Sequence, residues 1–564
     1  MRSKNFLRFS NSSLPILPKF LILVFFFSFS TSLFGERYIV ISKQERFTKS
    51  LQDKIKTLSG NFTKVHDKLG FAYVISDSKT FINDVSKLTD IRSVVVDKKI
   101  QMIDPNRKNI AVENVPSPPF TGDDDFFFDL QWGHDAINAT EAWALGATGA
   151  GVRVVVLDDG IDSDHPDLAP NLNTALCTSF VPGQTFEYNE NSPGDAYSHG
   201  THTSGTIAAK NNSYGTIGVA PDVELIMVKV LDSYTGSGQW SWILDGIVYA
   251  TNIGADVISM SIGGYAEKTV ENAELLYVLG RTTLYAWANG STVIASSGNG
   301  GYNLDDYPGI YHVPSDAPKV IAVSATAPIG WALDFNTNLD NLASYSNYGL
   351  KHVDFAAPGG DFIYPGNESC TVAGITRPCY VFDFVFSTGS AGAWYWSVGT
   401  SMAAPHVSGV AALIIGEAGG SLPPDAVLQT LRRTADDIGP MFQDKYFGYG
   451  RVNAEKAVLR MHQFAKESAS EIIETLPTEF NLSQNYPNPF NPATTISFAL
   501  PTDNHISLKV YDILGKEVAN LVDDFRSAGS YSVNFDASNL SSGIYVYKIQ
   551  AGNFVDAKKL VIQK

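Results

Sequence analysis

Three side chains far apart in the chain carry the groups needed to cleave an acyl bond. Ser401 lies in Gly399-Thr400-Ser401-Met402-Ala403-Ala404-Pro405-His406, and the small residues after it suit a tightly packed helix start. His199 opens His199-Gly200-Thr201-His202-Thr203-Ser204-Gly205, and Asp158 closes the apolar run Val152-Arg153-Val154-Val155-Val156-Leu157. A serine hydroxyl is a weak nucleophile until a base takes its proton. An imidazole can be that base, and a buried carboxylate can hold it in the right tautomer. Asn299 ends Ser296-Ser297-Gly298-Asn299, after the apolar run Val293-Ile294-Ala295. An Asn-Gly pair is by itself a turn signal; its place between His199 and Ser401 makes it a candidate here.

The chain order Asp, His, Ser separates this set from esterases built around Gly-x-Ser-x-Gly, which run Ser, Asp, His. Across residues 126–460 the three segments resemble the subtilisin-like (S8) serine peptidases. The resemblance implies a catalytic triad of Asp158, His199 and Ser401, with the Asn299 amide in the oxyanion hole. It implies that Ser261, Ile262 and Gly263 form one edge of the substrate cleft and Ser296, Ser297 and Gly298 the other, a peptide pairing between them as an added strand. It also implies a structural calcium ion and no catalytic cofactor. The ligands expected for the ion are Asp167, Asn212 and the carbonyls of Lys210, Tyr214 and Thr216, an all-oxygen set that suits calcium. His165, His202 and His406 are expected to be structural. One departure stands out: Asp159 follows the catalytic acid where the family has Ser or Thr. Spacing to Gly160 favours Asp158 as the partner of His199.

The elements that must position these groups alternate. Strands are predicted at 152–157, 225–230, 257–261, 292–296 and 319–324, with helices at 199–210, 238–253, 271–289, 400–416 and 425–434. Such alternation predicts an α/β fold, a mostly parallel sheet with helices on both faces. Ligands bind such sheets beyond the strand C-termini, which is where Asp158 and Asn299 fall.

The flanks read differently. Arg2, Lys4, Arg8 and Lys19 precede the apolar stretch Phe20 to Phe29, and small residues follow at Ser30, Ser32 and Gly35. This is the pattern of a cleaved export signal over 1–35, with a retained anchor as the alternative; the apolar run is short for a membrane span, and no later segment could cross a bilayer. Residues 36–108 show β-α-β-α-β content, with strands at Tyr38 to Ile41, Phe71 to Ile75 and Ile91 to Val96. This small α+β unit resembles the S8 propeptide (inhibitor I9-like), implying that the protein's own pro-segment inhibits it; a retained binding domain is the alternative. Residues 109–125, with Pro116, Pro118, Pro119 and Gly122, read as an exposed linker, and maturation is expected within 104–125. A second linker is expected over 461–480.

Residues 481–564 predict a small antiparallel β-sandwich. Its opening, Asn485-Tyr486-Pro487-Asn488-Pro489-Phe490-Asn491-Pro492, and its ending, Lys558-Lys559-Leu560-Val561-Ile562-Gln563-Lys564, resemble the type A C-terminal sorting domain of the type IX secretion system. That resemblance implies the secretion machinery as partner, and a product that is secreted or attached to the outer cell surface. An adhesive or carbohydrate-binding β-module is the alternative.

Charge narrows the partners. The net formal charge is −17, and residues 109–479 hold 15 basic against 42 acidic side chains. Nucleic-acid binding is excluded, because phosphate contacts need Lys and Arg. Protein or peptide substrates are what the S8 resemblance implies. Of the three cysteines, Cys370 and Cys379 enclose a short turn-rich loop; in an exported protein this suggests a disulfide, with two free thiols as the alternative. Cys177 reads as a buried apolar side chain.

Overall fold

The computed structural model describes residues 35–103, 109–111, 125, 127–188, 197–475, 477 and 479–564. The expected export signal and most of the 109–125 linker lie outside the described residues.

Two compact units divide the chain between Asp97 and Lys98. In the first, a four-stranded antiparallel sheet runs in the order Asn61–His66, Phe71–Ser76, Glu36–Ser42, Ile91–Val96. Helices Lys49–Thr57 and Phe81–Val85 bury Leu51, Ile55, Phe81 and Val85 into a core with Tyr38, Val40, Ala72 and Val74. The strand Asn61–His66 was not expected; it is largely exposed and lacks a strong apolar alternation. The expected end of this unit at 108 moves back to Asp97, because residues 98–103 pack within the second unit.

The second unit is built on an eight-stranded sheet. Its path runs Asn341–Leu342, Val320–Ala327, Thr292–Ser296, Val257–Met260, Arg153–Asp158, Glu224–Lys229, Thr178–Ser179, and Phe355–Pro358 also pairs with Val320–Ala327. All pairings are parallel except that of Asn341–Leu342. Side chains alternate across the sheet. Val154 and Val156 enter a core with Ala403, Val407, Val410 and Leu413 of the helix Thr400–Glu417. Leu157 faces Gly246 of the helix Trp240–Asn252 instead. The five strands and five helices expected for this region form, with no end shifted by more than three residues.

Helix Thr400–Glu417 is apolar on every side, as befits a helix through the middle of a core. Its small residues permit close contact: a Cβ added at Gly409 would lie 2.5 Å from the Val219 Cβ. The last helix of the unit, Ala454–Thr475, overruns the expected boundary at 460. Ala454, Ala457, Val458 and Met461 share one face and belong to the core, so the helix replaces most of the expected 461–480 linker.

Residues 481–562 form two antiparallel sheets, one of three strands and one of four, around their own core of Phe498, Ile506, Leu508, Val510, Tyr547 and Leu560. The two end motifs meet. Phe490 donates its N–H to Val561 and accepts from Gln563, and Asn488 accepts from the Val561 N–H through its side chain. Among the described residues, no helix is long and apolar enough to cross a membrane.

Candidate active site

Asp158, Ser261 and the run Ser296 to Asn299 all stand at the C-terminal edge of the parallel sheet. The register sets Asp158 beside Lys229 and Met260 beside Ala295, so the strands end at one level. The Asp158 carboxylate is fully buried and takes Nδ1 of His199 at 2.8 Å on one oxygen and 2.9 Å on the other. Thr203 and the Asp159 N–H also donate to it. With Nδ1 engaged, Nε2 is the nitrogen left to accept a proton.

Asp159 does something else. One of its oxygens accepts the Gly200 N–H at 2.9 Å and the other the His199 N–H at 3.4 Å. It therefore caps the first turn of the helix His199–Ala208, satisfying donors that a helix start leaves open. Which carboxylate orients the imidazole is thus answered by geometry: Asp158 holds the ring and Asp159 holds the backbone.

Ser401 sits in the first turn of the buried helix, which packs against the helix carrying His199. Among the hydrogen bonds of the described residues, none joins the Ser401 hydroxyl to His199; such bonds are often long without substrate. Pro405 has no N–H to give the Ser401 carbonyl. Asn299 faces the same space. Its Oδ1 accepts the Thr400 N–H at 2.9 Å and the Thr400 hydroxyl at 2.8 Å. A backbone N–H can only donate, so the amide oxygen is fixed on Thr400 and the NH₂ end is turned away from it. Gly399 leaves room beside that end, at φ +155°. A Cβ there would lie 3.4 Å from Asn299 Nδ2 and 3.5 Å from the Ser401 nitrogen, so these two nitrogens border one small space.

Gly263, Gly264, Ser296, Gly298, Asn299, Thr400 and Ser401 line one cleft of ≈330 Å³. Of the expected cleft residues, Gly263, Ser296 and Gly298 reach it; Ser261, Ile262 and Ser297 are fully buried and lie outside its lining. The other wall was not expected: it is the chain's own segment Ile100 to Ile103. Lys99–Gln101 pairs antiparallel with Ser237–Gln239, and the Gly263 N–H donates to the Met102 carbonyl at 2.9 Å. Further along, Asn109–Ala111 pairs with Tyr395 to Ser397. The segment Gly359 to Ser387 adds nothing to the lining. Its cysteines are joined, Cys370 to Cys379, and pack with Trp132, Trp331 and Phe382 in a separate aromatic core. Cys177 is half-buried, and burial pushes its thiol up to about 11.

The expected calcium loop is held by two carboxylates, one of them missed in the sequence. Asp167 accepts from the N–H and hydroxyl of Thr216 and from the Trp394 indole, and its own carbonyl accepts the Lys210 N–H. Asp125 accepts the N–H groups of Asn212 and Tyr214. The Oδ1 atom of Asp167 is buried and finds no partner. Burial, with Asp125 nearby, pushes Asp167 up to about 7. Two carboxylates crowded out of water, one with an orphaned oxygen, fit a hard divalent cation. Asp125 was missed because it closes an Asp run that reads as linker. The other histidines have structural partners: His165 the Ala393 carbonyl, His202 the Tyr395 carbonyl, His406 the Met402 carbonyl.

Residues 149–450 match the subtilase family profile. The chain belongs to the subtilase family. Thermitase of Thermoactinomyces vulgaris is 36% identical over 340 residues, 60% of this chain and 99% of the relative. Subtilisin E of Bacillus subtilis (strain 168) is 34% identical over 422 residues, 75% of this chain and 90% of the relative. The solved epidermin leader peptide processing serine protease of Staphylococcus aureus shares the fold, with a TM-score of 0.60 and 24% identity over 75% of this chain and 99% of that one. This subtilase is accordingly a serine peptidase. Its residues 484–563 match a secretion system C-terminal sorting domain of the type IX kind, so the protein is exported, to the medium or to the outer cell surface.

Proposed function

We propose that this subtilase is an endopeptidase that cuts proteins through an acyl-enzyme on Ser401 and is made as a precursor that cuts itself. The observation that carries the reading is a pair of arrangements on two helices packed together: His199 clamped by Asp158 on one, and on the other Ser401 at the cleft, with the Asn299 amide turned by Thr400 beside its nitrogen. In the first step Nε2 of His199 takes the Ser401 proton as Oγ bonds to the substrate carbonyl carbon. Negative charge moves to the carbonyl oxygen, where Asn299 Nδ2 and the Ser401 N–H donate to it. Asp158 stabilises the imidazolium and keeps its tautomer. The ring then gives its proton to the leaving amine, and water repeats the cycle on the ester.

Self-processing is supported by the chain's own segment in the cleft. Lys99–Gln101 pairs with Ser237–Gln239, Ile103 lines the cleft with Ser401, and Asn109–Ala111 pairs elsewhere, with Tyr395 to Ser397. We place the cut bond between Ile103 and Asn109, in the stretch that follows the cleft-lining segment. The released pro-segment would keep the same pairing and act as a competitive inhibitor. A bound calcium ion would be held by Asp167, Asp125, the Asn212 side chain and the carbonyls of Lys210, Tyr214 and Thr216, and would neutralise two crowded carboxylates and stiffen the loop; it takes no part in bond cleavage.

The test is secretion of Ser401→Ala beside the parent. The variant should accumulate as precursor and leave casein intact. The parent should mature with a new N-terminus between residues 104 and 109. A Ser401→Ala protein that matures and digests casein at the parental rate contradicts the reading.

A further inference from the structure

His312 belongs to the cleft although nothing in the reaction needs it. Its ring stands against both cleft edges: a Cβ added at Gly263 would lie 2.4 Å from its Cε1, and one added at Gly298 would lie 2.4 Å from its Nε2. The imidazole thus closes the bottom of the gap between the two edges. It is held from behind. Nδ1 pairs with the Ser315 hydroxyl at 2.8 Å, and the backbone N–H donates to Asp316 at 2.9 Å. The Tyr265 ring packs edge-on at 5.2 Å. Among the described residues Nε2 has no hydrogen-bond partner, and it looks into the cleft.

We propose that His312 is a specificity-determining residue: its imidazole floors the side-chain pocket and selects, for the residue whose carbonyl is cut, an uncharged side chain of moderate length ending in a hydrogen-bonding group, an amide above all. The carbonyl attacked by Ser401 must lie beside Asn299, so its side chain falls between Gly263 and Gly298. There it meets His312. The His312 ring takes up space between Gly263 and Gly298 that a large aromatic ring would need. An apolar chain would bury Nε2 without a partner, which is costly. An amide offers both a donor and an acceptor, so it serves either tautomer of the neutral ring. Charge has no counterpart there: the lining holds no Asp, Glu, Lys or Arg among the described residues. Burial drives His312 down to about 4, keeping it neutral; Asp316, bonded in turn to His352, faces its backbone side.

This inference rests on the peptidase reading above and names its substrate class. The test is kcat/KM for the purified secreted enzyme on peptides that differ only in the residue before the cut: Gln, Met, Phe and Lys. Gln should exceed Met, its near isostere, and also Phe and Lys, by at least ~10-fold. His312→Gly should raise Phe by at least ~10-fold and close the gap between Gln and Met. His312→Gln, which keeps a polar head of similar reach, should retain the Gln preference and guards against a His312→Gly protein that does not fold. An active wild-type enzyme that cuts after Phe as well as after Gln overturns the assignment, as does a folded His312→Gly enzyme with an unchanged ranking. Failure to cut any peptide, casein included, overturns the peptidase reading and this one with it.

Discussion

Thr400 fixes the amide of Asn299 by donating to the same oxygen from its N–H and its hydroxyl, at 2.9 and 2.8 Å. The residue before Ser401 thus decides which end of the amide is turned away from Thr400. Asn299→Ala should lower kcat by about 10²–10³ with little change in KM; the magnitude is borrowed from a subtilisin. Thr400→Val removes one of two donors and should cost less than Asn299→Ala while falling in kcat as well. Steady-state kinetics on one peptide substrate decides it. A Thr400→Val enzyme that loses only KM would mean that the amide is held by something else.

Asp158 and Asp159 are neighbours with separable duties. Asp158→Asn should cost about 10⁴ in kcat, since His199 would lose its tautomer. Asp159→Ala should keep most activity and lose about 0.5–2 kcal/mol of stability, the usual range for a helix cap. Rates and urea midpoints measured on both variants should split in this way. Equal loss of kcat in the two would show that Asp159 also acts on the ring.

Calcium should stabilise the protein through Asp167 and Asp125. A chelator should lower the melting temperature of the parent, and added calcium should restore it. Asp167→Asn and Asp125→Asn should each melt lower and respond little to calcium. A parent whose melting is indifferent to chelator and calcium would remove the ion from this loop.

The protein should lose stability in mild acid. His134, His202, His312 and His406 are buried, and desolvation lowers all four, His202 to about 3 and His312 and His406 to about 4. Unfolding frees them to bind protons near 6.5, so the unfolded state takes up more protons between about 6.5 and 4. Their contribution is whole above 6.5 and fades as the pH falls. His165, lowered to about 4 by burial, acts with them. Asp167 and Asp383, pushed up to about 7 and about 6 by burial, work the other way, and burial also raises Asp135, Asp256 and Asp354. The five histidines give up stability through the whole interval from about 6.5 to 5.0 and outweigh these carboxylates, which leaves a net loss. Ser401→Ala protein, which cannot digest itself, should melt lower at pH 5.0 than at pH 7.5; a higher melting temperature at pH 5.0 would contradict the argument.

Much of the architecture could be read from apolar runs, because a parallel strand buried on both faces is nearly continuous Val, Ile and Leu, as in Arg153–Asp158. Asn61–His66 escaped because an exposed edge strand needs no such pattern. Phe355–Pro358 escaped because it is four residues long and ends in proline. The helix Ala454–Thr475 carried a polar face that read as linker. In the site, Asp158, His199, Asn299 and Ser401 announced themselves through rare local motifs. Asp125 and His312 did not, because each acts only through distant partners: Asp125 on the loop at Asn212, His312 on glycines at 263 and 298. Asp159 was visible as a departure, but its partner was a backbone N–H that no motif encodes.

The central claim is that Ser401 is the one activated hydroxyl. The most direct measurement is intact-mass and peptide mapping after treatment with a fluorophosphonate. One adduct per molecule should appear on the peptide carrying Ser401, in step with loss of activity, and should be absent from His199→Ala and Ser401→Ala. Full inactivation with the adduct on another residue, or equal labelling of Ser401→Ala, would contradict it.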